Sequence, residues 1–470
     1  MNAAAQYYRP SRSPFAKPVR RLIALATAAA ITLPSLPAHA QGLPLIRDSE
    51  IEQLMRDYTQ PILKVAGLQS HNVKVILIND RSFNAFVADG KRIFVNTGAL
   101  AESTTPNQII GVLAHETGHI TGGHLSKLRE ELANVQTMAL IAMLLGAAAM
   151  AAGGGGGGAA QAGAAAISGA PQVAMRSLLS YQRAHEEAAD RAAVKFLTAT
   201  HQSAKGMYET FKRFADNSMF SARFADPYAQ SHPMPTERIA ALAEVARTSP
   251  NWEKKDSPEL QARHDMMRAK LSGFMEAPQT VSRRYPPSDT SLPARYARAI
   301  ATYRHSDLRA AVAQIDGLIA VQPNNPYFYE LKGQALLEGA KAAEAIAPLR
   351  RAAQMAPDPT LIQLMLGQAL VATNDPKYSE EAITILRNAL AREPDAPQAY
   401  QQLAMAYGRK GDLAQADLAS AQAAFSRGDV KTARELAARA KTRLPVGSPG
   451  WVRADDIVAA KLPSQQSRRN

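Results

Sequence analysis

The run Ala114-His115-Glu116-Thr117-Gly118-His119 sets two imidazoles four positions apart, with a carboxylate beside the first. On a helix, residues i and i+4 share one face, a turn apart. Both rings can then reach one divalent ion, and Glu116 leans over the coordination position they leave open. The chain has no cysteine. That excludes thiolate zinc ribbons, a disulfide scaffold and a cysteine nucleophile, and any metal has to be held by histidine and carboxylate. A catalytic zinc takes three protein ligands and keeps a fourth position open. The third is sought in Ala184-His185-Glu186-Glu187-Ala188-Ala189-Asp190. Glu186 is the best candidate, with Asp190 one helical turn on and on the same face. One carboxylate can bind metal while the other holds a ligand histidine or a reaction intermediate by hydrogen bond. Glu187 is rotated by about 100° and reads as a surface charge. His185 and His124 are rival ligands. His124 would need the helix to stop and turn at Gly122-Gly123, and its spacing is one residue short of the longer zincin motif.

These groups need helices to carry them and a sheet to anchor the helices. Thr105-Pro106 opens a helix running to about His119, with proline at its first position. Ahead of it, Asn84–Val87 and Arg92–Asn96 flank Asp89-Gly90, a hairpin signal, and Val73–Ile78 is a further β-rich run. The strand at 92–96 is expected to receive an extended substrate by main-chain pairing. Residues 48–68 form an amphipathic helix opened by a capping box, Ser49-x-x-Glu52. Long helical stretches are expected at 172–199 and 203–217, then a loop over 218–234 and a helix from Pro235.

Beyond a segment rich in Pro, Ser and charge, the pattern changes to a repeat. Pro323 and Pro357 lie 34 residues apart, the tetratricopeptide period. Gly333, Leu336, Ala345, Leu349 and Ala352 occupy that repeat's packing offsets. Gly367, Leu370, Ala382, Leu386, Ala389 and Pro394 follow, with three extra residues around Asn374–Tyr378. Units of this kind stack because no helix pair buries its apolar face alone. The fold class is therefore mainly α: a metallopeptidase-like domain with a small β-hairpin or sheet, followed by an α-solenoid. The expected divisions are 1–40, 41–250, a linker with one helix at 251–292, repeats at 293–445 and a tail at 446–470.

The first 40 residues read as an address. Lys17 to Arg21 is basic, Leu22–Leu33 is apolar, and Ala38-His39-Ala40 has the form of a signal-peptidase site, so export and cleavage after Ala40 are expected. The net charge is +13, and removing this segment with its five cations and no acid leaves +8. The basic residues are scattered and no nucleic-acid motif accompanies them, so a solvated surface is expected and nucleic acid is not a partner. Residues 137–152 are apolar all round, and sixteen residues fall short of a comfortable span. A buried helix, a lid that dips into a membrane and a true span are the competing readings, and peripheral membrane contact is one expectation. Gly153–Gly158 follows as a flexible connector.

HExxH on one helix and ExxxD on a later one resemble the gluzincin peptidases related to the CAAX prenyl protease. Asn96-Thr97-Gly98-Ala99-Leu100 is similar to the segment ahead of that family's active helix, and the repeat tail makes the resemblance closer. The resemblance implies a zincin-like fold, one zinc ion held by His115, His119 and Glu186, a catalytic Glu116 and an acid role for Asp190. It also draws in Ser231-His232-Pro233-Met234-Pro235-Thr236-Glu237-Arg238. His232 matches a histidine that closes the zinc's fourth position and holds the enzyme latent, though it also reads as a helix-start residue set by its prolines. Arg238 matches an arginine that steadies negative charge in the site. The implied function is a periplasmic zinc endopeptidase. Its substrates would be unfolded or misassembled outer-membrane proteins, with the barrel assembly machinery as partner of the repeats. A zinc-containing chaperone or scaffold, working through the repeats, is the alternative.

Overall fold

The computed structural model describes residues 44–133, 179–180, 182–220 and 227–460. The expected address at 1–40 and the apolar, glycine-rich stretch at 137–170 lie outside the described residues. No described helix is long and apolar enough to cross a membrane.

Helix α1 (Ser49–Val65) buries a stripe that includes Ile51, Leu54, Met55, Tyr58 and Ile62. Its N-cap is Asp48, not Ser49. The Asp48 carboxylate accepts from the Ile51 N–H at 2.9 Å, and the Asp48 N–H in turn donates to Glu52. The cap thus lies one residue earlier than expected while Glu52 still closes it, because Ser49 is buried and its hydroxyl donates to Glu330. A carboxylate caps as well as a hydroxyl does.

Strands β1 (Leu45–Ile46), β2 (Lys74–Ile78), β3 (Ala85–Val87) and β4 (Arg92–Asn96) form one sheet in the order β1-β2-β4-β3. The hairpin expected around Asp89-Gly90 is antiparallel β3–β4, with Phe86 opposite Phe94. β2 pairs with β4 in parallel, Val75 opposite Ile93. This corrects the expectation that strand 92–96 receives a substrate. β4 is central, and both its edges are already hydrogen-bonded. β1 was not foreseen, since two residues carry no readable alternation.

Helix α2 (Thr97–Glu102) follows β4 directly, and α3 (Pro106–Gly122) runs through the core with Ile109, Ile110, Val112, Leu113, Ala114 and His115 buried. The chain turns at Gly123, φ 63°, and continues as α4 (124–133). Helix α5 (182–199) lies within the expected stretch. α6 (Lys205–Phe220), α7 (Pro227–Ser231) and α8 (Thr236–Arg247) complete this part. α7 lies where a loop was expected.

The stretch expected as a one-helix linker holds two helices, α9 (Pro258–Met275) and α10 (Pro278–Arg284). α9 is a shared wall: Met267 and Leu271 enter the first core, while Met266 enters the first repeat core. Its polar composition hid this, because neighbouring residues on it serve two different cores. The α-solenoid follows as antiparallel pairs: α11 (Leu292–His305) with α12 (Leu308–Val321), α13 (Pro326–Glu338) with α14 (Ala342–Met355), α15 (Thr360–Ala372) with α16 (Ser379–Arg392), and α17 (Pro397–Arg409) with α18 (Leu413–Ser426). α19 (Val430–Lys441) and α20 (Pro449–Ala459) close it, so the expected tail carries a packed helix with Ala454 and Ile457 buried. The repeat offsets correspond to close helix crossings. A Cβ on Gly333 would meet Leu349 at 2.3 Å, and one on Gly367 would meet Leu386 at 2.6 Å. The three extra residues form a left-handed Asn374 and a 3-10 turn at Pro376–Tyr378.

Candidate metal centre

α3 and α5 cross where Gly118 faces Ala189. A Cβ on Gly118 would come within 2.8 Å of the Ala189 carbonyl oxygen and 2.9 Å of its Cα. Only glycine allows that approach, and it brings the Glu186 carboxylate over the two histidines of α3. The segment between α7 and α8 supplies the fourth group. Pro233 and Pro235 hold it extended, and His232 is inserted under the ring of Tyr228, with centroids 4.6 Å apart.

His115, His119, Glu186 and His232 each bring one ligand atom to within 4.8 Å of all the others. The individual separations are tighter. His115 Nε2 lies 3.0 Å from His119 Nε2 and 3.4 Å from His232 Nδ1. The Glu186 carboxylate lies 3.4 Å from both α3 imidazoles and 3.1 Å from His232 Nδ1. A tetrahedron with zinc-like bonds of about 2.0–2.1 Å has edges of about 3.3–3.4 Å. The donor set therefore suits a small cation in chemistry, and the separations of His115 Nε2 from His119 Nε2, His232 Nδ1 and Glu186 Oε2, 3.0–3.4 Å, approach those edges. Glu116 is fully buried, and neither of its oxygens accepts a hydrogen bond. His232 Nε2 stands 3.5 Å from Glu116 Oε1.

Charge follows from burial and neighbours. Burial raises the Glu116 carboxyl above its ordinary value, with the His232 and His115 charges opposing. Burial would raise Glu186 too, but His232 and the hydrogen bonds of His115 outweigh it and hold that carboxyl well below the carboxylate range. Burial pushes His119 well down, helped by the His115 charge. For His115, burial is outweighed by the carboxylates of Asp190 and Glu186, and the imidazole is lifted to about 9. A metal entering the site has to displace that proton.

The remaining expected residues take definite places. Asp190 is buried behind His115, its Oδ1 2.9 Å from His115 Nδ1, close enough for an ion pair though poorly aligned for a hydrogen bond. Arg238 donates to Asp190 through Nε at 2.7 Å and Nη2 at 2.8 Å, and its Nη1 reaches Glu186 and the Pro233 carbonyl. Its forked guanidinium is thus committed to two carboxylates and a backbone oxygen. The negative charge that it steadies here is that of Glu186 and Asp190. Glu187 pairs with Arg191 at the surface. His185 does not join the four donors. Neither does His124, although the helix does stop at Gly122-Gly123: its ring turns back onto the far nitrogen of His119. Composition and spacing could not reveal the Asp190–Arg238 pair, because its partners are 48 residues apart.

A cluster able to hold a metal suits a hydrolytic metalloenzyme, and comparison with known proteins points to a metalloprotease. The model of peptidase family M48 matches residues 46–246. Along most of its length the chain is similar to proteins named beta-barrel assembly-enhancing protease. It is 24% identical to that of Yersinia pestis over 88% of this chain and 83% of that one. It is 24% identical to that of Escherichia coli K12 over the same shares. A protein of Vibrio cholerae named putative beta-barrel assembly-enhancing protease is 27% identical over 44% of this chain and 41% of that one. Among solved structures, MamA of MSR-1 aligns over 39% of this chain and 99% of that one, at 20% identity and a TM-score of 0.30.

Proposed function

We propose that the chain is a zinc endopeptidase of the gluzincin type, with His115, His119 and Glu186 as the zinc ligands. The observation that carries this is the set of donor separations, 3.0–3.4 Å among His115 Nε2, His119 Nε2 and the Glu186 carboxylate, beside a buried carboxylate that accepts no hydrogen bond. A zinc ion bound there supplies Lewis acidity, polarising a peptide carbonyl and acidifying a water molecule. Glu116 is the general base: it takes the water's proton and returns it to the leaving amine, and burial has moved its basicity toward neutrality for that task. Asp190 and Arg238 orient rather than react. Asp190 fixes His115 through its Nδ1, and Arg238 fixes Asp190 and Glu186 together. His232 takes the fourth corner in a latent state and leaves it when substrate enters.

The location is the bacterial periplasm, after cleavage following Ala40, on the strength of the basic, apolar and A-x-A segments. The substrates are unfolded or misassembled outer-membrane proteins, and the repeats engage these or the barrel assembly machinery. A cavity of about 950 Å³ between the start of α1 and the α13, α15 and α17 face of the solenoid, lined in part by Leu331, Leu364 and Gln401, offers room for such a client. The test is zinc content and casein cleavage by wild type, Glu116→Gln and His232→Ala. Glu116→Gln is expected to keep zinc and lose at least 100-fold in rate. His232→Ala is expected to cleave faster than wild type. Undiminished cleavage by Glu116→Gln would remove the general base from the mechanism.

His232 in the fourth corner also favours a second reading, a zinc-stabilised chaperone working through the repeats. Folding assistance lost on deleting the repeats but intact in Glu116→Gln would select it.

A further inference from the structure

A histidine that gives one ring nitrogen to a metal carries its proton on the other, and that N–H needs an acceptor to fix the ring. For His115 the group facing Nδ1 is the Asp190 carboxylate, 2.9 Å away. For His119, whose Nε2 faces the site, the group at Nδ1 is neither a carboxylate nor a backbone carbonyl. It is His124 Nδ1, at 3.0 Å, with the two rings near perpendicular at 82°.

We infer that His124 is a positioning residue for the metal centre: its Nδ1 accepts the His119 Nδ1–H, fixing the tautomer and ring plane that aim His119 Nε2 at the ion. This rests on the reading of His119 as a ligand. Two nitrogens 3.0 Å apart require one to carry the proton and the other not, and a metal on Nε2 decides which. His124 then holds its own proton on Nε2.

The surroundings hold the ring in this place. His124 is 7% exposed. On one side it stacks with His185, centroids 4.3 Å apart and planes 13° apart. His185 precedes the ligand Glu186 on α5, so the stack ties both ligand helices to one ring. Gly122 and Gly123 supply the remaining space. Gly123, at φ 63°, ends α3 and turns the chain back, and a Cβ on Gly122 would lie 2.1 Å from His124 Nε2. The Gly-Gly-His sequence after HExxH thus returns a hydrogen-bond acceptor to the second ligand of the same helix.

The experiment measures zinc dissociation constants of the full chain by competition with a chromophoric chelator, together with the melting temperature of the apoprotein. His124→Leu is expected to bind zinc about 10–100-fold more weakly. His124→Asn, whose Oδ1 can replace Nδ1 as acceptor, is expected to return to within about threefold of wild type. Gly122→Ala alters no polar atom but displaces the ring, and is expected to weaken binding as His124→Leu does while the apoprotein still melts cooperatively. This second variant decides the matter if His124→Leu fails to fold. Wild-type affinity in both His124→Leu and Gly122→Ala overturns the inference. Equal weakening in the Leu and Asn variants also overturns it, in favour of plain packing. If wild type binds zinc no better than a His115→Ala, His119→Ala double variant, the metal reading itself is wrong and this inference falls with it.

Discussion

Asp190 and Arg238 are 4% and 2% exposed, so the consequences of cutting one from the other are large. A forked guanidinium–carboxylate pair in a dry interior is strong only while both members are present. Asp190→Ala strands the Arg238 charge against Glu186 and Pro233, and the expected destabilisation is about 3–5 kcal/mol. The same substitution removes the anion beside His115 Nδ1, and zinc affinity is expected to fall by about 10–100-fold. The two effects separate in Asp190→Ala, Arg238→Leu. With no buried charge left unpaired, much of the stability should return by urea titration, while zinc retention should stay low. A double variant that recovers both would show that Asp190 only neutralises Arg238 and leaves His115 untouched.

At the scale of elements, α1, α2 and α9 are joined by one buried imidazole. His264 on α9 accepts the Tyr58 hydroxyl at Nδ1, 3.0 Å away, and donates from Nε2 to the Ser103 carbonyl at 2.7 Å. Accepting at Nδ1 belongs to the neutral ring, and burial, outweighing the Ser103 bond that favours the charged ring, lowers its pKa from 6.5 to about 4. The folded value lies below the unfolded one, so between these limits the unfolded chain binds more protons and stability falls as pH falls. The full contribution is present above pH 6.5. At pH 5 roughly 2 kcal/mol of it is gone. Urea midpoints at pH 7 and pH 5 are expected to differ less in His264→Gln than in wild type by that amount, and an equal difference would exclude His264 as the source. This junction was not legible in the chain. Tyr58 and His264 are distant in sequence, and α9 starts in a stretch whose prolines and charges suggest a linker. The legible parts were those whose signal is local or periodic: His115 and His119 on one helical face, Glu186 and Asp190 one turn apart, the β3–β4 turn, and the Gly333–Leu349 pairing that recurs, three residues longer, at Gly367–Leu386. The central place of β4 depends on a parallel partner outside the hairpin. The commitment of Arg238 depends on α8 and the segment before it meeting α5. Neither leaves a mark in spacing.

At the scale of the whole chain, the described residues from Leu45 onward form one compact unit, and a buried ionic cluster ties the sheet-and-helix part to the repeats. Lys270 Nζ on α9 reaches Asp48 at 2.8 Å and Glu50 at 3.1 Å at the start of α1. Tyr296 on α11 donates to Glu50 at 2.8 Å, and Glu330 on α13 accepts from Ser49 at 2.7 Å. Burial, opposed by Lys270, pushes the Glu330 carboxyl up to about 7. The arrangement places one buried cation among three carboxylates and across both parts, so the two are expected to unfold together. Lys270→Met leaves the acids facing one another without a counter-charge, at a cost of about 3–5 kcal/mol concentrated at the junction. The two tryptophans make this observable by halves, since Trp252 packs on the first core and Trp451 on the last repeat core. In Trp252→Phe and Trp451→Phe backgrounds, the remaining fluorophore should report coincident urea transitions with Lys270 in place. The transitions should move apart in Lys270→Met, with the first part, deprived of its partner for α1, unfolding earlier. Coincident and unshifted transitions in Lys270→Met would mean that apolar packing along α9, through Met266, Met267 and Leu271, carries the coupling without the cluster.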